Sequence, residues 1–195
     1  MIASEKREHL TEIIRREGIV IRDVILSSGK RASYYYDIKR VVGNGRALAL
    51  IAELILDEII MPNFTDVRSI GGLEIGSIPL STAIMMTHPD AKKGSLGQFI
   101  VRKSLKEHGL EKRVEGILQE PVLIIDDVLT SGKSIQQVVD ILRKDNQEVK
   151  GVICVLDRED ESGSDFKRAW GGKFYSLFCH SDFKEYIYEK SKQVN

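Results

Sequence analysis

One segment of the chain joins residue types and spacing into a chemical argument: Val122-Leu123-Ile124-Ile125-Asp126-Asp127-Val128-Leu129-Thr130-Ser131-Gly132-Lys133-Ser134. An apolar run of buried-strand type ends in two carboxylates, and a small loop rich in hydroxyls and glycine then opens a helix. In an α/β sheet, ligands bind outside the carboxyl ends of the strands. A loop entering a helix N-terminus also offers unpaired N–H groups to a phosphate. Phosphate is therefore expected at Thr130 to Ser134, with Asp126 and Asp127 beside it. Two adjacent carboxylates would repel a bare polyphosphate, so they need hydroxyl donors or a divalent cation, and a sugar phosphate supplies hydroxyls. Either acid alone would read as a turn cap; next to Thr-Ser-Gly-Lys-Ser the pair reads as a site.

A second segment, Arg102-Lys103-Ser104-Leu105-Lys106-Glu107-His108-Gly109, follows strand-forming residues and continues as a polar stretch to Gly116. Arg102, Lys103, Lys106 and His108 gather potential positive charge on material too polar to bury, which suits a mobile loop folding over an anionic substrate. A charge run by itself is ordinarily a solvated face, and the acid-pair loop is what reverses that reading. Two look-alikes fail. Gly132-Lys133-Ser134 resembles the end of a P-loop, but the first glycine of that motif would fall at Asp127. Gly43-Asn44-Gly45 opens a helix, but Leu48 stands where a dinucleotide fingerprint needs its third small residue.

These residues must be held by a scaffold, and the hydrophobic pattern supplies one. Ser4, Leu10, Ile13, Ile14 and Gly18 describe an amphipathic helix ending in a glycine cap. Residues 19–26 and 34–42 read as a hairpin or a pair of short strands around Ser27-Ser28-Gly29-Lys30. Residues 47–60 return to helical period and stop at Pro62. Strands are then expected at 67–71, 98–103, 122–126 and 149–156, with helices at 78–86 and 135–144. That alternation is the signature of a parallel sheet covered on both faces. A strand at 174–178 and a helix at 182–190 capped by Ser181 close the chain.

Composition narrows the class. The 195 residues are 42% hydrophobic and 30% charged, with 29 basic against 29 acidic side chains, which describes one soluble domain with room for a small cap. Zero net charge removes the pull on a phosphate backbone that a nucleic-acid binder needs, so nucleic acid is not expected as a partner. Cys154 and Cys179 read as reduced core residues of a cytoplasmic protein. The charged N-terminus carries no signal-peptide core. Residues 47–56, interrupted by Glu53, fall short of the roughly 20 apolar residues that cross a bilayer, so no membrane is expected. His9 and His88 read as surface residues, and Trp170 beside Gly171-Gly172 as a packing anchor.

Residues 126–134 resemble the phosphoribosyl-pyrophosphate (PRPP) motif of type I phosphoribosyltransferases. Residues 102–109, closing at Val114-Glu115-Gly116, are similar to the catalytic loop of the orotate phosphoribosyltransferase family. Residues 26–37 are similar to that family's orotate-site segment, and Leu156-Asp157-Arg158-Glu159 looks like its Asp-Arg-x-Glu element. The resemblance implies an α/β fold of type I phosphoribosyltransferase class: a central, mostly parallel sheet flanked by helices, with a small N-terminal hood (about 1–42) on a PRPP-binding core (about 43–180). It implies Mg²⁺-dependent pentosyl transfer from PRPP to orotate, giving orotidine 5′-phosphate and pyrophosphate in pyrimidine (UMP) biosynthesis.

Carried over position by position, the resemblance gives Asp126 and Asp127 the ribose hydroxyls, with Asp127 counted among the catalytic residues. It gives the 5-phosphate to the loop Thr130, Ser131, Gly132, Lys133 and Ser134, and counts Val128 and Leu129 among the PRPP-binding residues. Arg102, Lys103, Lys106 and His108 would contact the pyrophosphate, the last three as catalytic residues. Thr130 and Arg158 would contact orotate, with Tyr35 and Tyr36 nearby. No side-chain metal site is implied, Mg²⁺ arriving with PRPP, and the family's homodimer passes the mobile loop into the partner's site. Some positions depart from the best-known bacterial pattern: Ser27 and Gly76 stand where it has lysines, Ala32 where it has a serine, and Lys133 where it has a small residue. Lys30, Lys39 or Lys133 is expected to supply part of that charge. Two alternatives remain at this point, a PRPP or nucleotide sensor and a transferase for a purine base. The intact loop cations argue against the first, and Arg158 with the N-terminal segment against the second.

Overall fold

The computed structural model describes residues 2–25, 31–89, 91, 94, 96–104 and 112–194. The first helix, α1 (Ala3–Ile13), is followed by a π turn over Ile14–Gly18. Gly18 is not the left-handed cap expected: a Cβ there would lie 2.6 Å from Val41 Cγ2, so it permits close approach of two segments. The strands β1 (Ile19–Ile25) and β2 (Arg31–Tyr36) pair antiparallel, as expected of a hairpin. The chain then departs from the expected strand to residue 42. The Asp37 carboxylate accepts from Arg40 N at 3.1 Å and starts a short helix, α2 (Ile38–Val42).

Asn44 caps the next helix, α3 (Gly45–Ile55), by accepting from Arg46 N and Ala47 N. Pro62 does not stop this helix. A π turn at Leu56–Ile60 is followed by a last turn, α4 (Met61–Asn63), which contains the proline. The hydrogen-bond ladder is already irregular there, which is where a residue without an N–H is tolerated.

The remaining elements are β3 (Ser69–Leu73), α5 (Ser77–Thr87), β4 (Gly97–Val101), β5 (Val114–Gly116), β6 (Val122–Leu129), α6 (Lys133–Lys144), β7 (Val149–Asp157), α7 (Glu161–Trp170), β8 (Phe174–Cys179) and α8 (Lys184–Val194). Two of them, β5 and α7, were not expected from the sequence. Nor does Ser181 cap α8: its N–H donates to Glu159 Oε2 at 2.7 Å, and Asp182 accepts from Cys179 N in the preceding 3₁₀ turn.

Six strands form one sheet in the order β5-β4-β3-β6-β7-β8, parallel except for β5. Its central strands are buried on both faces, and along 122–125 of β6 and 152–155 of β7 successive side chains alternate between two cores. Leu123, Ile125, Ile153 and Val155 point into the core shared with α1, α3 and α5. Val122, Ile124, Val152 and Cys154 point into the core under α6 and α7, where Trp170 packs as expected. Cys154 is buried and Cys179 half-buried, both as thiols. Truncating a residue such as Ile125 to alanine would cost roughly 2–5 kcal/mol, which is how firmly the strand bearing the acids is fixed. Among the described residues no helix is long and apolar enough to cross a membrane.

Candidate active site

The acid pair lies inside β6 rather than after it. Asp126 is in register with Cys154 of β7, and the ladder continues to Leu129 opposite Asp157. The strand therefore hands the pair to the sheet's carboxyl end with its direction fixed. Asp127 Oδ1 accepts from Val128 N at 3.0 Å, and Lys39 of α2 places its Nζ 3.3 Å from Asp127 Oδ2. Burial, and then the charge of Asp127, pushes the Asp126 carboxyl up to about 8. The Lys39 ammonium is raised in turn, chiefly by Asp127. Lys39, Gly43, Ile75, Gly76, Pro79 and Asp127 line a cleft of about 170 Å³. The missing side chain at Gly76 is part of its shape, because a Cβ there would sit 2.9 Å from Asp127 Oδ1.

The loop from Thr130 to Ser134 turns at Gly132, whose φ of 76° is a left-handed conformation, and enters α6 without a side-chain cap among the described residues. Its N-terminal N–H groups are thus left for an anion. Beneath the loop lies α7. A Cβ at Gly132 would collide with the Phe166 ring, and one at Gly163 with the Thr130 carbonyl oxygen. Lys133 and Ser134 are exposed on the first turn of α6.

Arg158 begins the turn after β7, and its N–H donates to Leu129 O at 3.1 Å, which brings it beside Thr130. The turn is built by its neighbours. Asp157 accepts from Glu159 N at 2.8 Å and from Lys167 Nζ of α7 at 2.6 Å, with Glu159 at a φ of 54°. The Arg158 side chain is 5% exposed, and its Nε is buried without a hydrogen-bond partner, 3.5 Å from Asp160 Oδ2. A buried guanidinium with an unspent donor is a group waiting for an acceptor. Tyr34 and Tyr36 wall this place from β2; Tyr35, on the alternate face of the strand, is 39% exposed and lies within electrostatic reach of Lys39.

At the ends of the second predicted segment, Arg102 N donates to Arg113 O at 2.9 Å, and the Arg113 guanidinium reaches Lys103 O at 3.1 Å. Lys103 N donates to Glu74 Oε1 at 2.9 Å, tying this end to the β3–α5 turn that lines the cleft. Lys106 and His108, like Ser27 and Lys30, lie outside the described residues. The structure thus brings together Asp126, Asp127, residues 128–134, Lys39 and Arg158. Sequence reasoning missed Glu74, Gly163, Phe166, Lys167 and His180. Only the Phe166–Trp170 spacing on a helix could have hinted at α7.

A mostly parallel sheet with adjacent acids on its central strand, followed by a glycine turn into a helix N-terminus, defines the type I phosphoribosyltransferase class. A crystal structure of Mycobacterium tuberculosis orotate phosphoribosyltransferase in complex with Fe(III) dicitrate superposes with a TM-score of 0.76 at 34% identity, covering 91% of this chain and 98% of that one. The orotate phosphoribosyltransferase of Corynebacterium glutamicum is 38% identical over 159 residues, 80% of this chain and 83% of that protein. That of Pyrococcus horikoshii is 36% identical over 179 residues, 90% and 92% of the two. No protein-family model matches the chain. Identity at this level, sustained along both sequences, makes the chain a member of the orotate phosphoribosyltransferase family.

Proposed function

We propose that the chain transfers the phosphoribosyl group from PRPP to orotate with Mg²⁺, forming orotidine 5′-phosphate and pyrophosphate for pyrimidine (UMP) biosynthesis. The observation that carries this reading is the junction of Asp126 and Asp127 with the uncapped loop at Thr130 to Ser134 and with buried Arg158. A related Mycobacterium tuberculosis structure, 31% identical with a TM-score of 0.73, is a complex with PRPP. The acids accept the ribose hydroxyls, and the amides of the loop hold the 5-phosphate. The Arg158 guanidinium grips a carboxylate or carbonyl edge of orotate by paired hydrogen bonds.

In the reaction, the bond from the anomeric carbon to pyrophosphate breaks with its electron pair leaving on the pyrophosphate, and a ring nitrogen of orotate bonds to the same carbon and gives up its N–H proton to the departing pyrophosphate or to solvent. Positive charge develops on the sugar and negative charge on the leaving group. Arg102, Lys103, Lys106 and His108 stabilise the leaving group, and Asp127 the sugar. Lys39 adds charge beside the position where Gly76 has none. Closure of the segment carrying Lys106 and His108 excludes water, whose attack would waste PRPP.

Among the described residues no group of three His, Cys, Asp or Glu forms a metal cage. Magnesium is ordinarily held by one or two carboxylates together with substrate phosphates, a role that Asp126 and Asp127 fit. When bound, it neutralises charge developing on the pyrophosphate. In this reading residues 1–42 form a hood over the core of residues 43–180, and the chain acts as a cytoplasmic homodimer whose catalytic loop works in the partner's site.

The test is the loss of orotate absorbance on mixing purified protein with orotate, PRPP and Mg²⁺. A Lys106→Ala variant and an adenine-for-orotate control run alongside. Turnover of orotate that collapses in the variant supports the reading; no turnover despite PRPP binding by calorimetry moves it to a sensor.

A further inference from the structure

His180 belongs to none of the segments that carry the family resemblance, yet it holds the wall of the base pocket together. It opens the 3₁₀ turn after β8, on the core, and meets two tyrosines that share one face of β2. Its Nδ1 lies 2.8 Å from the Tyr36 hydroxyl, and its ring stacks on Tyr34 with centroids 5.2 Å apart and planes 10° from parallel. The other side of this assembly is equally fixed. Tyr36 packs edge-on against Phe183, which is fully buried, and the Arg158 guanidinium stands 5.7 Å from the Tyr34 ring centroid.

Burial pushes the Tyr36 phenol up and the His180 imidazole down. Tyrosine therefore keeps its proton and histidine stays neutral, so one proton is shared between Oη and Nδ1; in the tautomer protonated at Nε2 the phenol donates and Nδ1 accepts. A neutral ring also adds no second cation beside Arg158.

We propose that His180 is a positioning residue for the base: through Tyr36 and Tyr34 it fixes the aromatic wall against which Arg158 presents its guanidinium to a planar, carboxylate-bearing ring. This rests on the reading of orotate as the substrate. Removing the imidazole frees both tyrosines, so the cost falls on recognition of the base and not on PRPP.

The experiment measures KM for orotate, KM for PRPP and kcat in the full chain and in His180→Ala, His180→Phe, His180→Asn, Tyr36→Phe and His180→Phe/Tyr36→Phe, with melting temperatures alongside. Loss of one hydrogen bond and one ring stack should raise the orotate KM of His180→Ala roughly tenfold, with the PRPP KM within about twofold. Phe keeps the ring and Asn an acceptor near Nδ1, so each should recover part of the loss. The double variant should be no worse than either single, since both remove the same bond. An unchanged orotate KM in variants of an active enzyme, or equal shifts in both KM values, overturns the inference alone. A wild-type chain that does not turn over orotate overturns the substrate reading with it. A loss confined to melting temperature and apparent kcat assigns His180 a merely structural part and also overturns the inference.

Discussion

Replacing Gly76 by alanine tests whether Asp127 is held where the reaction needs it. The added Cβ would lie 2.9 Å from Asp127 Oδ1 and 3.0 Å from its Cγ. Comfortable contact begins near 3.5 Å, so the carboxylate must retreat by about half an ångström. It has little freedom to do so, being 13% exposed, bonded to Val128 N and paired with Lys39. A hydrogen bond to a charged group contributes about 1.5–3 kcal/mol, so losing most of one to the displaced carboxylate costs roughly tenfold, or about 1.4 kcal/mol, of PRPP affinity. Titration calorimetry with PRPP measures it directly. Gly45→Ala is the control: nothing lies within 4 Å of its Cβ at the start of α3, so affinity should be unchanged. Wild-type PRPP affinity in folded Gly76→Ala would refute the reasoning, showing that the Asp127 carboxylate as observed is not the contact.

Lys39→Met should raise the PRPP KM several-fold in initial-rate assays. Its side chain is 65% exposed, so stability should change by less than about 1 kcal/mol; an unchanged KM removes Lys39 from the phosphate side. The Asp126 carboxyl is raised from 3.8 to about 8 by burial and by Asp127, so its protonation contributes stability that is present below about pH 4 and lost as pH rises to about 8. Asp126→Asn has no such loss, and its advantage in melting temperature over the unliganded wild type should widen from pH 5 to pH 9. A gap independent of pH contradicts the shift. Gly163→Ala drives a methyl group into the Thr130 carbonyl oxygen and should cost roughly 1–3 kcal/mol in denaturant unfolding while weakening PRPP binding.

The strands β6 and β7 were legible because strands buried on both faces carry apolar runs, β3, β4 and β8 because short β-prone stretches alternate with helical ones, and α3 and α6 because their apolar faces repeat at helical period. What escaped was decided by single contacts. Residues Ile38–Val42 have strand-forming side chains, but one hydrogen bond from Asp37 turns them into a helix. The strand β5 is only three residues long and exists through its pairing with β4. The helix α7 is polar and contains Gly163, with Phe166 and Trp170 as its anchors in the second core. At the site, the acid pair and the loop were visible as a motif, since both lie on one stretch of chain. Lys39 was one of three lysines expected to offset the charge missing at Gly76, but its place beside Asp127, like that of His180 against Tyr36, joins residues distant in sequence, and no local pattern encodes it.

The two ends of the segment proposed to be catalytic meet on one rung of the sheet, where Arg102 N bonds to Arg113 O just beyond the β4–β5 ladder. Whatever lies between leaves and re-enters the sheet at that one rung, and the register of β4 against β5 is set by the ladder from Phe99–Gly116 to Val101–Val114. If the proposed roles of Lys106 and His108 hold, a change between those two ends alters turnover without touching the hydrogen bonds that join β4 to β5.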